Sequence, residues 1–125
     1  GLGAIHSLSH PIGAIYDTHH GMTNAVVMPY VLVFNRSVIE EKLTRLAAWL
    51  GLPQPSFQAM LDWILAMRRD LGVPHTLQEF GVPNDRFAEL AEFAIKDPTA
   101  GGNPRPFDAA EAKAMLDAAW SGKLA

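Results

Sequence analysis

Helix start and stop signals recur along almost the whole chain, and they restrict most strongly what it can fold into. Residues 37–40 (SVIE) have the form of a capping box, in which a hydroxyl and a carboxylate satisfy free backbone donors. They predict a helix running to about Leu50, with Gly51 beyond it as a left-handed cap. Similar signals predict helices at 56–71, 76–81 and 85–96, and a last helix capped by Asp108 and ended by Gly122.

The pattern predicts an all-α fold. No run of alternating apolar and polar residues bounded by hairpin residues is found, so strands are not expected. Together with helices over residues 22–34 and over the stretch before them, the signals predict a multi-helix domain of roughly seven helices. A length of 125 residues is enough for one domain with a core and too short to expect two.

Composition excludes several classes of function. The net charge is −3 and no basic block is present, so a nucleic-acid partner is not expected. Cysteine is absent, which excludes disulfides and thiolate sites and fits a cytoplasmic setting. The most apolar stretch, residues 22–34, is too short to span a bilayer, and we interpret it as a buried helix. Binding to a membrane is therefore not expected. With 49% apolar residues, an exposed face that binds another subunit or a missing domain is expected.

The chemistry is concentrated in residues 6–20, which hold four of the five histidines. His6 and His10 would share one face of a helix, and Pro11 need only kink it. A turn over residues 17–21 would then place His19 or His20 near the start of the next helix, pointing back at the first. Neutral imidazole is a good ligand for zinc and ferrous iron, so this stretch could supply two ligands but not a full shell. The alternative is a coincidental cluster on a helix surface.

No cofactor-binding residue is predicted elsewhere in the chain. The loop at residues 101–104 (GGNP) lacks the preceding strand and the Lys-Ser/Thr ending of a phosphate-binding motif. Charged pairs at the helix ends, such as Arg68 and Arg69, fit the helix dipole and need no further role.

Two segments resemble a known family. Residues 3–14 (GAIHSLSHPIGA) followed by 17–25 (DTHHGMTNA) resemble the histidine signature of the iron-containing alcohol dehydrogenases. Residues 28–31 and 34–35 continue this likeness, and residues 96–105 (KDPTAGGNPR) are similar to the loop before the family's last helix. The resemblance covers nearly the whole chain.

The resemblance implies an N-terminal α/β domain that binds NAD or NADP, and a dehydroquinate synthase-like helical C-terminal half to which residues 1–125 belong. It also implies a ferrous ion, in some members zinc, held by one Asp and three His. By motif position His6 and His20 are two of the metal ligands, and His10 is the non-ligand histidine with a proton-relay role. Thr99 falls in a loop that borders the substrate pocket.

Two positions depart from the family pattern. His19 stands where proline is common, so the ligand could be His19 instead of His20; Gly21, which follows His20 as in the signature, favours His20. Tyr30 stands where many members have histidine, and no expected ligand is affected.

The chain is therefore expected to be part of an NAD(P)-dependent, iron-dependent alcohol dehydrogenase that transfers hydride between a small alcohol or aldehyde and nicotinamide. Gly1 opens into mid-domain sequence, so we expect an upstream part, an isolated chain without activity, and a homo-oligomer in the full enzyme. One alternative is a maleylacetate reductase-like enzyme, against which the pair His20-Gly21 with Asn24 argues. The other is a free-standing helical binding module.

Overall fold

The described part of the chain, residues 3–124, contains five α-helices and no strand in the computed structural model. This confirms the all-α prediction, while the count of roughly seven was too high. Residues 1, 2 and 125 of the predicted domain lie outside the described residues. The helices are α1 (Gly3–Tyr16), α2 (His20–Trp49), α3 (Phe57–Asp70), α4 (Phe87–Lys96) and α5 (Ala109–Ser121), with a 3-10 helix at Pro98–Gly102.

The predicted helices over 22–34 and 37–50 are one 30-residue helix, α2. The capping-box interpretation of residues 37–40 was wrong, because nothing near Phe34 breaks the helix and the backbone donors there keep their helical partners. Glu40 does not turn back toward Ser37; its carboxylate accepts a hydrogen bond from Arg36 Nε at 3.0 Å. Pro29 lies inside the helix without ending it.

The predicted helix at 76–81 is a single turn. Thr76 Oγ1 accepts a hydrogen bond from the Glu79 N–H, as an N-cap side chain would. The Glu79 carboxylate accepts from the His75 N–H and not from the Thr76 N–H, so the capping box is incomplete. The chain then leaves helical geometry at Gly81, where φ is +86°. Nearby, α4 begins at Phe87 and not at 85, and no side chain caps its start.

Other predicted helix ends are confirmed by their hydrogen bonds. Ser56 Oγ accepts from the Ala59 N–H at 3.0 Å at the start of α3. Asp108 and Glu111 form a complete capping box at the start of α5. Gly51 follows α2 with φ of +76°, a conformation that costs glycine nothing because it has no Cβ.

The core has two parts, and α2 runs through both. The larger part is formed by α1, the first half of α2, α4 and α5, around residues such as Leu8, Ile12, Val27, Leu90 and Leu116. The smaller part is formed by the second half of α2 and by α3, which returns along it as the other arm of a hairpin. Burial in this core confirms residues 22–34 as part of a core helix.

By length and composition alone α2 could cross a membrane, but half of its most apolar window is buried against the rest of the fold, as expected of a core helix. Apolar side chains remain on the surface nonetheless. Trp49 is 83% exposed and Leu71 is 72% exposed, and Trp63, Met67 and Phe93 are also exposed. The expected exposed apolar surface is therefore present, and α3 carries part of it.

Candidate metal and catalytic site

Three histidines from two helices converge at one surface. His6 and His10 lie one turn apart on α1, and His20 is the first residue of α2. Their ring centroids are 5.9 Å apart for His6 and His10, 5.8 Å for His6 and His20, and 5.2 Å for His10 and His20. All three residues are exposed, so a ligand can reach them.

The turn between α1 and α2 decides which of the two consecutive histidines joins this cluster. Asp17 adopts a left-handed conformation with φ of +54°, and its N–H donates to the Gly13 carbonyl at 2.9 Å. His19 then serves as the N-cap of α2, because its Nδ1 accepts from the Met22 N–H at 3.2 Å. The side chain brought beside His6 and His10 is that of His20.

A short chain of polar groups holds the His20 ring. The Asn24 Nδ2 atom lies 3.2 Å from His20 Nε2, one turn further along α2. Ser9 of α1 is buried, and its hydroxyl donates to Asn24 Oδ1 at 2.5 Å. The orientation of His20 is thereby linked to α1 as well as to its own helix.

On its other side, the cluster contacts Asp97 at the end of α4. Asp97 Oδ2 lies 2.8 Å from His10 Nδ1, and the carboxylate side chain is only 15% exposed. Its second oxygen, Oδ1, accepts from the Thr99 N–H at 2.9 Å and from the Thr99 hydroxyl at 2.5 Å. Burial acts to raise the pKa of Asp97, but the hydrogen bonds from Thr99 and His10 outweigh it and lower that pKa.

Sequence reasoning missed Asp97. A local signal was available, because Asp before Pro98 and Thr99 is the pattern of a cap that begins a helical turn. The contact with His10, 87 positions earlier, has no counterpart in any local pattern.

A buried amide pair fixes the loop that carries Thr99. Asn35 of α2 and Asn103 exchange two hydrogen bonds, of 2.9 Å and 2.8 Å, and both residues are buried. Asn103 Oδ1 also accepts from the Ala4 N–H, and its Nδ2 donates to the Arg105 carbonyl. The start of α1, the middle of α2 and the loop are therefore joined at one point.

Gly3 allows the close approach of α1 to this loop. A Cβ built on Gly3 would lie 1.9 Å from the Thr99 carbonyl oxygen and 2.8 Å from the Asn103 nitrogen. We expect Gly3→Ala to lower the free energy of unfolding by about 1–3 kcal/mol, because backbone must move on one side. Gly13→Ala is the matched control, since its Cβ would lie 3.7 Å from the nearest atom and alanine favours the helix by up to about 1 kcal/mol. Urea unfolding of both variants measures this, and equal effects would contradict it.

The lowered pKa of Asp97 predicts a pH dependence of stability. A carboxylate whose pKa is lower in the folded state stabilises the fold above its unfolded pKa of about 3.9, and this contribution is lost as the pH falls through the folded pKa. Wild type should therefore exceed Asp97→Asn in free energy of unfolding at pH 7, and the difference should shrink at pH values below about 4. Urea unfolding at both pH values measures it; a difference that does not change with pH would refute the expectation.

An apolar pocket of about 340 Å³ adjoins His10. It is lined by His10, Pro11, Ala14, Ile15, Phe93 and Asp97. A larger pocket of about 450 Å³ lies at the end of α3 around Arg68, and none of the three clustered histidines lines it. The pocket beside His10 is therefore the one that belongs with the site.

Within residues 3–124, no three His, Cys, Asp or Glu side chains are arranged to hold a metal ion by themselves. Two imidazoles of the cluster are close enough to share one ion. With metal–nitrogen bonds of about 2.1 Å and ring centres roughly 1.1 Å beyond, two such rings have centres at most about 6.4 Å apart. All three centroid separations, 5.9, 5.8 and 5.2 Å, fall within this limit, so distance alone admits any two of the three histidines, including His6 and His20.

The fold and the histidine cluster define a helical domain with a candidate active site at its surface. A family model described as "Fe-containing alcohol dehydrogenase family, C-terminal" matches residues 1–120. The chain therefore belongs to the C-terminal part of the Fe-containing alcohol dehydrogenase family.

Individual relatives agree with this assignment. Lactaldehyde reductase of Escherichia coli (strain K12) is 32% identical, over 96% of this chain and 33% of its own length. The structure of a 1,3-propanediol oxidoreductase superposes with a TM-score of 0.87 at 32% identity, covering 95% of this chain and 33% of that one. Maleylacetate reductase from Rhizobium sp. strain MTP-10005 superposes with a TM-score of 0.73 at 29% identity, covering 98% and 33%. The chain spans about a third of the length of the curated relatives it matches.

Proposed function

We propose that this chain is the C-terminal helical part of an NAD(P)-dependent, iron-dependent alcohol dehydrogenase, which transfers hydride between a small alcohol or aldehyde and nicotinamide. The observation that carries the proposal is the convergence of His6, His10 and His20, from two helices, at an exposed surface. The three lie within the segment by which the chain resembles the family.

His6 and His20 would hold the ion, ferrous iron or zinc. Their separation suits a shared ion, and neutral imidazole is a suitable donor for either metal. The amide of Asn24 now contacts His20 Nε2 and would have to give up that contact if this nitrogen were the one that held the ion. The remaining ligands, one Asp and one His, would come from a preceding helix. Such an ion supplies Lewis-acid polarisation of the alcohol oxygen, while the nicotinamide supplies the redox chemistry.

His10 would receive the alcohol proton. The Nδ1 atom of His10 is hydrogen-bonded to Asp97, which leaves Nε2 as the nitrogen that can accept a proton from a substrate. Thr99 would border the substrate, since its hydrogen bonds to Asp97 place it beside His10. The apolar pocket next to His10 supports a neutral substrate of small size.

We further propose that residues 1–125 work together with an N-terminal NAD(P)-binding domain, in a cytoplasmic homo-oligomer. The exposed apolar side chains support a covering partner, and the chain's one-third share of its relatives' length supports a further domain. The isolated chain would have no dehydrogenase activity, because the dinucleotide-binding domain and half of the metal ligands would be missing.

The test is to assay the full-length enzyme that this proposal implies, in parallel with the isolated chain. We expect NAD- or NADP-linked oxidation of small alcohols by the full-length enzyme, loss of that activity on chelation, and its return with ferrous iron. No activity is expected of the isolated chain at equal concentration. A full-length enzyme without such activity, or an active isolated chain, would contradict the proposal.

A maleylacetate reductase-like enzyme is the second candidate, favoured by the superposition with a TM-score of 0.73. The higher score of 0.87 against 1,3-propanediol oxidoreductase supports the first candidate. The chelation experiment separates them, because a metal-independent reductase would keep its activity in the presence of the chelator.

A further inference from the structure

We propose that Asp97 is a positioning residue for His10: it sets the tautomer and the ring orientation of His10 and ties them to the position of Thr99. The consequence for catalysis rests on the proposed function above. The tautomer itself is a property of this chain and can be measured without any activity.

The direction of the hydrogen bond follows from the chemistry of the two groups. Two hydrogen bonds from Thr99, donated by its N–H and its hydroxyl, stabilise the ionised form of the largely buried Asp97 carboxylate. An ionised carboxylate only accepts hydrogen bonds, so the hydrogen shared across the 2.8 Å contact must be carried by His10 Nδ1. The neutral ring then bears its lone pair on Nε2.

The two oxygens of Asp97 have separate tasks. Oδ1 accepts from the Thr99 backbone and hydroxyl, and it is the cap of the 3-10 helix. Oδ2 contacts His10 alone among the hydrogen bonds of the described residues. If Asp97 served only as the cap of the 3-10 helix, Oδ1 alone would be needed. A substitution that changes only Oδ2 therefore distinguishes a capping role from a role in positioning His10.

Asp97→Asn makes this change. Asparagine is as good a cap as aspartate, so its carbonyl oxygen can keep the bonds to Thr99. Its NH₂ group then takes the place of Oδ2 and can only donate, so His10 Nδ1 must become the acceptor. The expected result is an inverted tautomer, with the hydrogen on Nε2, in a chain that remains folded.

Long-range ¹H–¹⁵N spectra of the histidine-labelled chain measure the tautomer directly. They would be recorded at about pH 8.5, where free imidazole is neutral, with His10→Gln used to assign the signals. We expect the Nδ1–H form in wild type and the Nε2–H form in Asp97→Asn. Thr99→Val is the matched control: it removes one bond to Oδ1 and should leave the Nδ1–H form in place. An Nε2–H form in wild type, or no inversion in Asp97→Asn, would overturn the proposal.

The kinetic arm uses the full-length enzyme. Asp97→Asn should lower kcat by about 10- to 100-fold, the usual effect of losing the partner that orients a functional histidine. KM should change by less than about threefold, because Oδ2 is already hydrogen-bonded to His10 and the substitution keeps the size of the side chain that lines the pocket. An unchanged kcat in a variant with the inverted tautomer would refute the positioning role. A wild-type enzyme without dehydrogenase activity would instead refute the proposed function, and the tautomer result would be unaffected.

Discussion

Replacing His20 by alanine should, under the function proposed above, remove the iron of the full-length enzyme and lower its kcat/KM by about 100- to 1000-fold. The expected size follows from the several kcal/mol of transition-state stabilisation that a metal ion supplies, at 1.4 kcal/mol for each factor of ten. His20 is exposed, so the loss cannot be attributed to a disrupted core. Metal content by elemental analysis, measured alongside the kinetics, checks both parts of the expectation.

The matched control is the neighbouring residue, His19→Ala. His19 Nδ1 caps α2 through the Met22 N–H, so its loss should cost about 1 kcal/mol of stability and leave the iron in place. The two variants differ by one position, yet only one of the side chains lies beside His6. If His19→Ala lost the iron and His20→Ala kept it, the two histidines would have exchanged the roles proposed here.

The largest loss of stability should come from Asn103→Ala. This change leaves the buried Asn35 amide, the Ala4 N–H and the Arg105 carbonyl without their partner. Unpaired polar groups in a water-excluded site are costly, and we expect the free energy of unfolding to fall by about 2–4 kcal/mol. Thermal and urea unfolding measure the effect.

Two further variants make the expectation for Asn103 specific. Gln58→Ala removes an exposed hydrogen bond of 2.8 Å to Asp62 and should change stability by less than about 0.5 kcal/mol. The double variant Asn35→Ala/Asn103→Ala should be less destabilised than the sum of the two single variants, because both remove the same pair. Additive effects would mean that the two amides stabilise the fold independently.

Local sequence patterns identified part of the histidine cluster and several helix ends. The spacing of His6 and His10 placed both on one face of α1, and that helix tolerates Pro11 as expected. Caps at Ser56 and Asp108 were predicted because each is made between residues three positions apart. The same reasoning failed at residues 37–40, where the letters of a capping box occur in the middle of α2.

That failure has a physical cause. A capping box stabilises a helix end only where the backbone donors are free, and in α2 they are already bonded within the helix. Whether the helix continues past Phe34 depends on the packing of its two halves, with α1, α4 and α5 on one side and α3 on the other. Those contacts are made with distant parts of the chain, so the four residues of a capping-box pattern cannot indicate them.

The amino-acid sequence by itself determined the all-helical class, several helix ends, and the concentration of four histidines within α1 and at the start of α2. These features depend on interactions across one helical turn, which neighbouring residues specify. Only the tertiary structure decided that α2 is continuous and that Asp97 contacts His10 from 87 positions away, and it places beside His6 the residue His20, which the family pattern favoured over His19. Each of these depends on which helices pack together, because a contact between distant residues exists only after the chain between them has folded.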